Sequence, residues 1–163
     1  MYKKGETIIY PVYGMSKIAR IYKEKVGDKM MEYYEIMFKN NLYVSVPIDQ
    51  AENLGMRYPT KKTEMKKVVK DLNKKVRMHP DTIARLADIS KEKLATGMTQ
   101  DAVDLVRMIY TVGEMKKTRD QNLSLTERTN LAQAIEFIRS EIVSVFGEKG
   151  VDSFGLSKFQ NID

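Results

Sequence analysis

The stretch Tyr33-Tyr34-Glu35-Ile36-Met37-Phe38-Lys39-Asn40-Asn41-Leu42-Tyr43-Val44-Ser45-Val46-Pro47 decides the architecture of this chain. Tyr34, Ile36 and Phe38 fall on one side of a pleat and Tyr33, Glu35 and Met37 on the other, the two-residue period of a strand with one buried face. After the turn residues Lys39-Asn40-Asn41, Leu42, Val44 and Val46 alternate in the same way with Tyr43 and Ser45. Pro47 has no amide hydrogen for a ladder and finishes the strand. Working outward, Ile8-Ile9-Tyr10 is a β-branched and aromatic run closed by Pro11, and Ile18, Ile21 and Tyr22 belong to a further strand that ends near Gly27-Asp28. Short antiparallel strands in so few residues predict an SH3-like or Tudor-like β-barrel over residues 1–58. A unit of that size buries little surface and is expected to lean on the rest of the chain.

From Lys61 the apolar period lengthens to that of a helix, and no proline comes after Pro80. A first helix is expected over Thr63 to Lys75, with Met65, Val68, Val69 and Leu72 on one face and lysines around the rest. A second runs from Pro80-Asp81 to Gly97 and buries Ile83, Leu86, Ala87 and Leu94. A third, Thr99 to Lys117, turns Ala102, Leu105, Val106 and Ile109 inward. Ser124-Leu125-Thr126-Glu127 is a capping box opening a fourth helix, whose stripe Leu131, Ala134, Ile135, Ile138, Ile142 and Val145 ends at Gly147. A last helix is expected over Val151 to Phe159. The class is α+β: a β domain over 1–58, joined across Tyr58-Pro59-Thr60 to an α-helical bundle over 61–163.

Composition narrows the function. The chain has 163 residues, 42% apolar and 31% charged, the balance of a folded soluble protein. It has no cysteine and a single histidine, His79, so thiol chemistry, thiolate metal sites and a nucleophile–histidine pair have no residues to use. Gly147-Glu148-Lys149-Gly150 lacks the arrangement of a phosphate-binding loop. No catalytic residue, metal, cofactor or small-molecule substrate is expected. No run has the length of a membrane span and the first residues lack a signal core, which fits a cytoplasmic protein.

The formal net charge is +6, and its placement is uneven. Lys61, Lys62, Lys66, Lys67, Lys70, Lys74, Lys75 and Arg77 face only Glu64 and Asp71 within residues 61–77, so this stretch alone holds a surplus equal to that of the whole chain. Such a concentration binds phosphates by counterion release, independently of sequence; a solvated helix face is the other reading. Lys66, Lys67, Lys70 and Lys74 are the candidate phosphate contacts. A non-specific DNA-binding or nucleoid-associated protein acting through 61–77 is one function this distribution supports.

Gly5-Glu6, Tyr10-Pro11-x-x-Gly14, Val46-Pro47, Ala51-Glu52-Asn53-Leu54-Gly55-Met56-Arg57, Glu92-Lys93-Leu94-Ala95-Thr96-Gly97 and Leu123-Ser124-x-x-Glu127-Arg128-x-x-Leu131-Ala132 occur in this order. In that series the chain resembles, over nearly its whole length, the CarD/CdnL regulators of bacterial RNA polymerase. The resemblance implies a nucleoid-associated transcription regulator whose barrel docks on the polymerase β-subunit lobe and whose helical domain touches promoter DNA at the upstream edge of the bubble, altering open-complex stability. It places Lys23, Lys25, Tyr43 and Ser45 toward the polymerase, Ser45 standing where some relatives carry Arg. It places Ile83 where many relatives carry a Trp wedge, with Arg85, Lys91, Lys93 and Arg128 as further DNA contacts and Asp88 at a position basic in some relatives. Ile83 also lies on the apolar stripe of its helix, so a plain core role stays open. The same barrel type occurs in the transcription-repair coupling ATPase, whose helicase motor domains have no counterpart in these 163 residues.

Overall fold

The computed structural model describes residues 1–11, 13–39 and 41–159. Strands β1 (Thr7–Tyr10), β2 (Gly14–Val26), β3 (Lys29–Met37) and β4 (Tyr43–Pro47) form one antiparallel sheet in the order β1-β2-β3-β4. Register obeys the alternation: Ile18 stands opposite Ile36 and Tyr34 opposite Val46, while Tyr22 faces Tyr33 and Glu35 faces Ser45. A shift between Ile18 and Arg20 keeps Arg20 opposite Glu35. Ile8, Ile18, Tyr34, Ile36, Phe38 and Val46 pack with Ala51 and Met56 into the core of the sheet.

The sheet is open, not the closed barrel expected from the strand count. Closure would pair β4 with β1, but the edge of β1 is already taken. After β4 the chain passes through a 3-10 turn, Ile48–Gln50, and brings Arg57 alongside Ile9. The Ile9 amide donates to the Arg57 carbonyl at 2.7 Å, and the Arg57 amide to the Ile9 carbonyl at 3.2 Å.

The helices are α1 (Lys62–Lys70), α2 (Pro80–Ala84), α3 (Leu86–Ala95), α4 (Thr99–Lys117), α5 (Leu125–Phe146) and α6 (Glu148–Ser153). α4 matches the expected span, and α1 stops five residues early in a 3-10 turn, Asp71–Asn73. The expected helix from Pro80 to Gly97 is broken at Arg85, whose φ and ψ of −97° and 10° are not helical. The buried stripe of α3 is Leu86, Ser90 and Leu94, which leaves Ala87 exposed, contrary to the apolar pattern. Ser90 is tolerated there because its hydroxyl donates to the Leu86 carbonyl at 2.6 Å. The last expected helix is instead α6 and, after Gly155, a 3-10 turn, Leu156–Phe159.

Met65, Val69 and Leu72 join Val106, Ile109, Ile138 and Ile142 in a second apolar cluster, which also takes in Ile9 from the reverse side of β1. One strand therefore feeds both clusters.

The capping box opens α5 as expected. Glu127 accepts from the Ser124 amide at 2.6 Å, the Glu127 amide donates to Ser124 Oγ at 3.2 Å, and Lys116 Nζ reaches Glu127 Oε2 at 2.6 Å. Burial pushes the Glu127 carboxyl upward, but Lys116 and the two Ser124 donors outweigh it and hold the group below its ordinary value. The folded state therefore favours the carboxylate. Its contribution is complete above the unfolded-chain value of about 4.3 and is lost as pH falls through the lower folded value. Glu127→Gln keeps the cap geometry without the charge, so it should cost about 1 kcal/mol at neutral pH. That difference should shrink progressively as pH falls below about 4 and through the lowered folded value, measured by thermal unfolding of both proteins.

Candidate functional site

The solvent side of the sheet is built from the outward residues of β2, β3 and β4. Arg20 grips Glu35 through two hydrogen bonds of 2.8 and 2.9 Å and lies 4.7 Å over the ring of Tyr22. Tyr22 stacks on Tyr33 with centroids 5.5 Å apart, and its hydroxyl donates to Ser45 Oγ at 2.8 Å. Tyr43, about half exposed, sends its hydroxyl to Met37 Sδ at 3.2 Å. Aromatic residues, Met and Arg on a preorganised surface are the residue types enriched in protein–protein contacts. Beside them β4 is hydrogen-bonded on one side only among the described residues, so its outer edge offers main-chain donors and acceptors.

Tyr43 and Ser45 share this surface. Lys23 and Lys25 do not: they pair in register with Glu32 and Met30, on the side of the pleat that carries Ile36 and Tyr34. They sit on a two-stranded ribbon beyond the reach of β1, which ends its pairing at Lys17, and of β4, which begins at Tyr33. Lys23 is paired with Glu32 at 3.2 Å, and Lys25 is exposed with no ion pair among the described residues. Arg20, Tyr22 and Glu35 are not singled out from sequence as contact residues. Their alternation was legible, but the stacking across strands depends on register.

On the helical side Lys66, Lys67 and Lys70 are exposed and form no ion pair among the described residues. Lys74 reaches Asp71 at 2.5 Å and holds that carboxyl below the ordinary aspartate range. Arg85, Lys91 and Arg128 are exposed and likewise unpaired among the described residues. Lys93 is different: it is three-quarters buried, with Asp101 at 2.8 Å and Asp104 at 3.9 Å, so its charge is already neutralised. Ile83 is half-buried and packs against the helical cluster, as its place on the apolar stripe suggests.

The two clusters meet at a polar joint that sequence reading did not anticipate. Glu141 of α5 is completely buried. It accepts from Arg57 Nη1 at 2.9 Å, from the Thr60 amide at 3.2 Å and from the hydroxyls of Thr60 and Thr99. Arg57 also donates to the Gly97 carbonyl through Nε and Nη2 at 2.9 and 2.7 Å. Gly97 has φ 63°, and a Cβ there would stand 3.0 Å from Pro11. Gly14 has φ 71°, and a Cβ would stand 2.8 Å from Ser140 Oγ; β2 comes this close to α5 only without a side chain.

Residues 2–58 match the family of the CarD-like/TRCF RID domain. Over 163 aligned residues, covering 95% of this chain and the whole of the relative, the chain is 26% identical to a Bacillus subtilis (strain 168) protein named "Putative transcription factor YdeB".

Proposed function

On the premise that residues 2–58 belong to the CarD-like/TRCF RID domain family, we propose that this protein is an accessory transcription regulator without catalytic activity. The sheet half, 1–58, binds the lobe of the RNA polymerase β subunit, and the helical half, 61–163, touches promoter DNA largely without sequence preference. The observation that carries this reading is the unpaired edge of β4 beside the Tyr22, Tyr33 and Tyr43 surface. A partner strand added there gains main-chain hydrogen bonds from the edge and side-chain contacts from the aromatic face. Tyr43 and Ser45 belong to that contact; Lys23 and Lys25 serve a partner element that reaches round the ribbon.

Docking raises the effective concentration of the helical half near DNA, so weak contacts from Lys66, Lys67, Lys70, Arg85, Lys91 and Arg128 suffice. Lys74 adds to them after giving up Asp71, and Lys93 contributes least because its acids hold it. Ile83, half-buried against the helical cluster, offers its exposed part as the wedge. A protein that binds the melted form better than the closed one shifts the melting equilibrium by that difference in affinity. The protein acts in the cytoplasm, at the nucleoid.

Open complexes of the cognate polymerase, challenged with heparin, should dissociate at a different rate when the full chain is present. Tyr43→Glu should bind polymerase about 30-fold more weakly, roughly 2 kcal/mol, and abolish the rate change while keeping its thermal stability. An undiminished effect of the variant would move the contact away from β4. The exposed, unpaired Lys66, Lys67 and Lys70 favour one other reading, a nucleoid protein independent of polymerase. That reading gains if the chain binds duplex DNA alone and leaves open-complex lifetime unchanged.

A further inference from the structure

Three segments distant in sequence enclose a groove of about 540 Å³: the stretch around Lys74–Val76, the C-terminal half of α4, and Lys158–Phe159. This volume lies within the roughly 300–1,000 Å³ of small-molecule sites. Its accessible apolar lining comes from the half-buried Val76 and Tyr110 and the exposed Met115, with Leu72 and Phe159 buried beneath them; the Tyr110 ring meets that of Phe159 edge to face with centroids 5.1 Å apart. Lys74, Lys75, Arg107 and Lys158 also line it, against one carboxylate, Glu114.

These cations are not equivalent. Lys74 is held by Asp71 and Arg107 by Asp104, and Arg107 Nε donates to the Lys74 carbonyl at 2.9 Å, which fastens the 74–76 stretch to α4. Lys75 and Lys158 have no carboxylate partner among the described residues. Lys158 is steered by the Asn73 side-chain oxygen and lies 4.6 Å over the Phe159 ring. The amides of Lys75 and Val76 have no hydrogen-bond partner among the described residues. An aromatic and apolar floor, two ammonium groups without counter-charge, and adjacent open amides are thus gathered in one groove.

We propose that this groove binds a free nucleoside diphosphate as a ligand, a role separate from the polymerase and DNA contacts. The base lies on the apolar and aromatic floor, and the diphosphate meets Lys75, Lys158 and the 75–76 amides. Glu114 excludes phosphate from its own wall and offers an acceptor to ribose hydroxyls, as a carboxylate does in dinucleotide sites. A simple anion would use the ammonium groups and leave the floor wet. Duplex DNA presents phosphates but no free base face.

The test titrates the full chain with ADP and GDP, and separately with pyrophosphate, adenosine and a single-stranded octanucleotide, tracking amide NMR shifts and heat of binding. One of the two nucleotides should saturate a single site, with shifts confined to residues 72–76, 107–118 and 156–159. Pyrophosphate and adenosine should each bind at least about tenfold more weakly. Lys75→Ala and Lys158→Ala should each weaken binding roughly tenfold with unchanged circular dichroism. Absence of saturation at about 1 mM overturns the proposal. So do equal affinity for pyrophosphate, tighter binding of the octanucleotide, or shifts spread over the lysines of α1. Both substitutions leave β4 untouched, so the outcome is separate from that of the open-complex assay.

Discussion

Glu141→Ala should lower the free energy of unfolding by about 3–5 kcal/mol, because it leaves the Arg57 guanidinium at the joint without its counter-charge. Arg57→Ala should cost at least as much, since Glu141 is fully buried and would keep only hydroxyl and amide partners. Against a total of about 5–15 kcal/mol for a domain, either loss is large. In a chain of this length it corresponds to a fall in Tm on the order of 10 °C. The ion pair itself is not what the fold requires. Arg57→Met with Glu141→Met removes both charges and fills similar volume, so the double variant should be far less destabilised than the sum of the single ones. Thermal and urea unfolding of the three proteins measure this. Additive losses would mean that the two side chains stabilise through separate contacts and that the joint is not a coupled network.

Replacing Lys66, Lys67, Lys70 and Lys74 together by Glu should cut duplex-DNA affinity by orders of magnitude at low salt. The physical signature is the salt dependence. Each phosphate neutralised contributes about 0.9 to the slope of log affinity against log salt, so four contacts account for roughly 3.6. Lys74 begins paired to Asp71, so the expected change is nearer 3 than 4. All four side chains are exposed, and the variant should unfold within a few degrees of the parent, since surface substitutions cost about 0.5 kcal/mol or less each. Fluorescence anisotropy between about 50 and 200 mM salt supplies the slope. A slope that does not change would assign these lysines to solvent.

Local rules carried the sequence reading a long way. The alternation through Tyr34, Ile36 and Phe38, the span of α4 and the Ser124–Glu127 cap depend on neighbours a few residues apart, and the structure contains all of them. What depended on long-range pairing was not legible. Tyr43 and Ser45 could be placed on one side of their strand, but only the register reveals that Lys23 and Lys25 fall on the other side of the sheet. Reading burial from apolar type put Ala87 in the core and overlooked Ser90, which is buried because it satisfies its own hydroxyl within the helix. The ion pair of Lys93 with Asp101, eight residues away, likewise had no local signature.

The most informative surprise concerns the motif residues themselves. Pro11, Gly14, Arg57 and Gly97, read as marks of a family, converge where the sheet meets the helices. Their residue types are set by close backbone approach and by a buried charge. The surface that could meet a partner is made by residues with no comparable local signature.

The two flanks of the sheet differ, and under the proposed docking this decides where a strand can add. Arg57 bridges Ile9 at the flank of β1, whereas among the described residues β4 pairs on one side only, so a strand from the proposed partner would add at β4. Under the proposed docking, that asymmetry would give the polymerase one edge to recognise and not two competing ones.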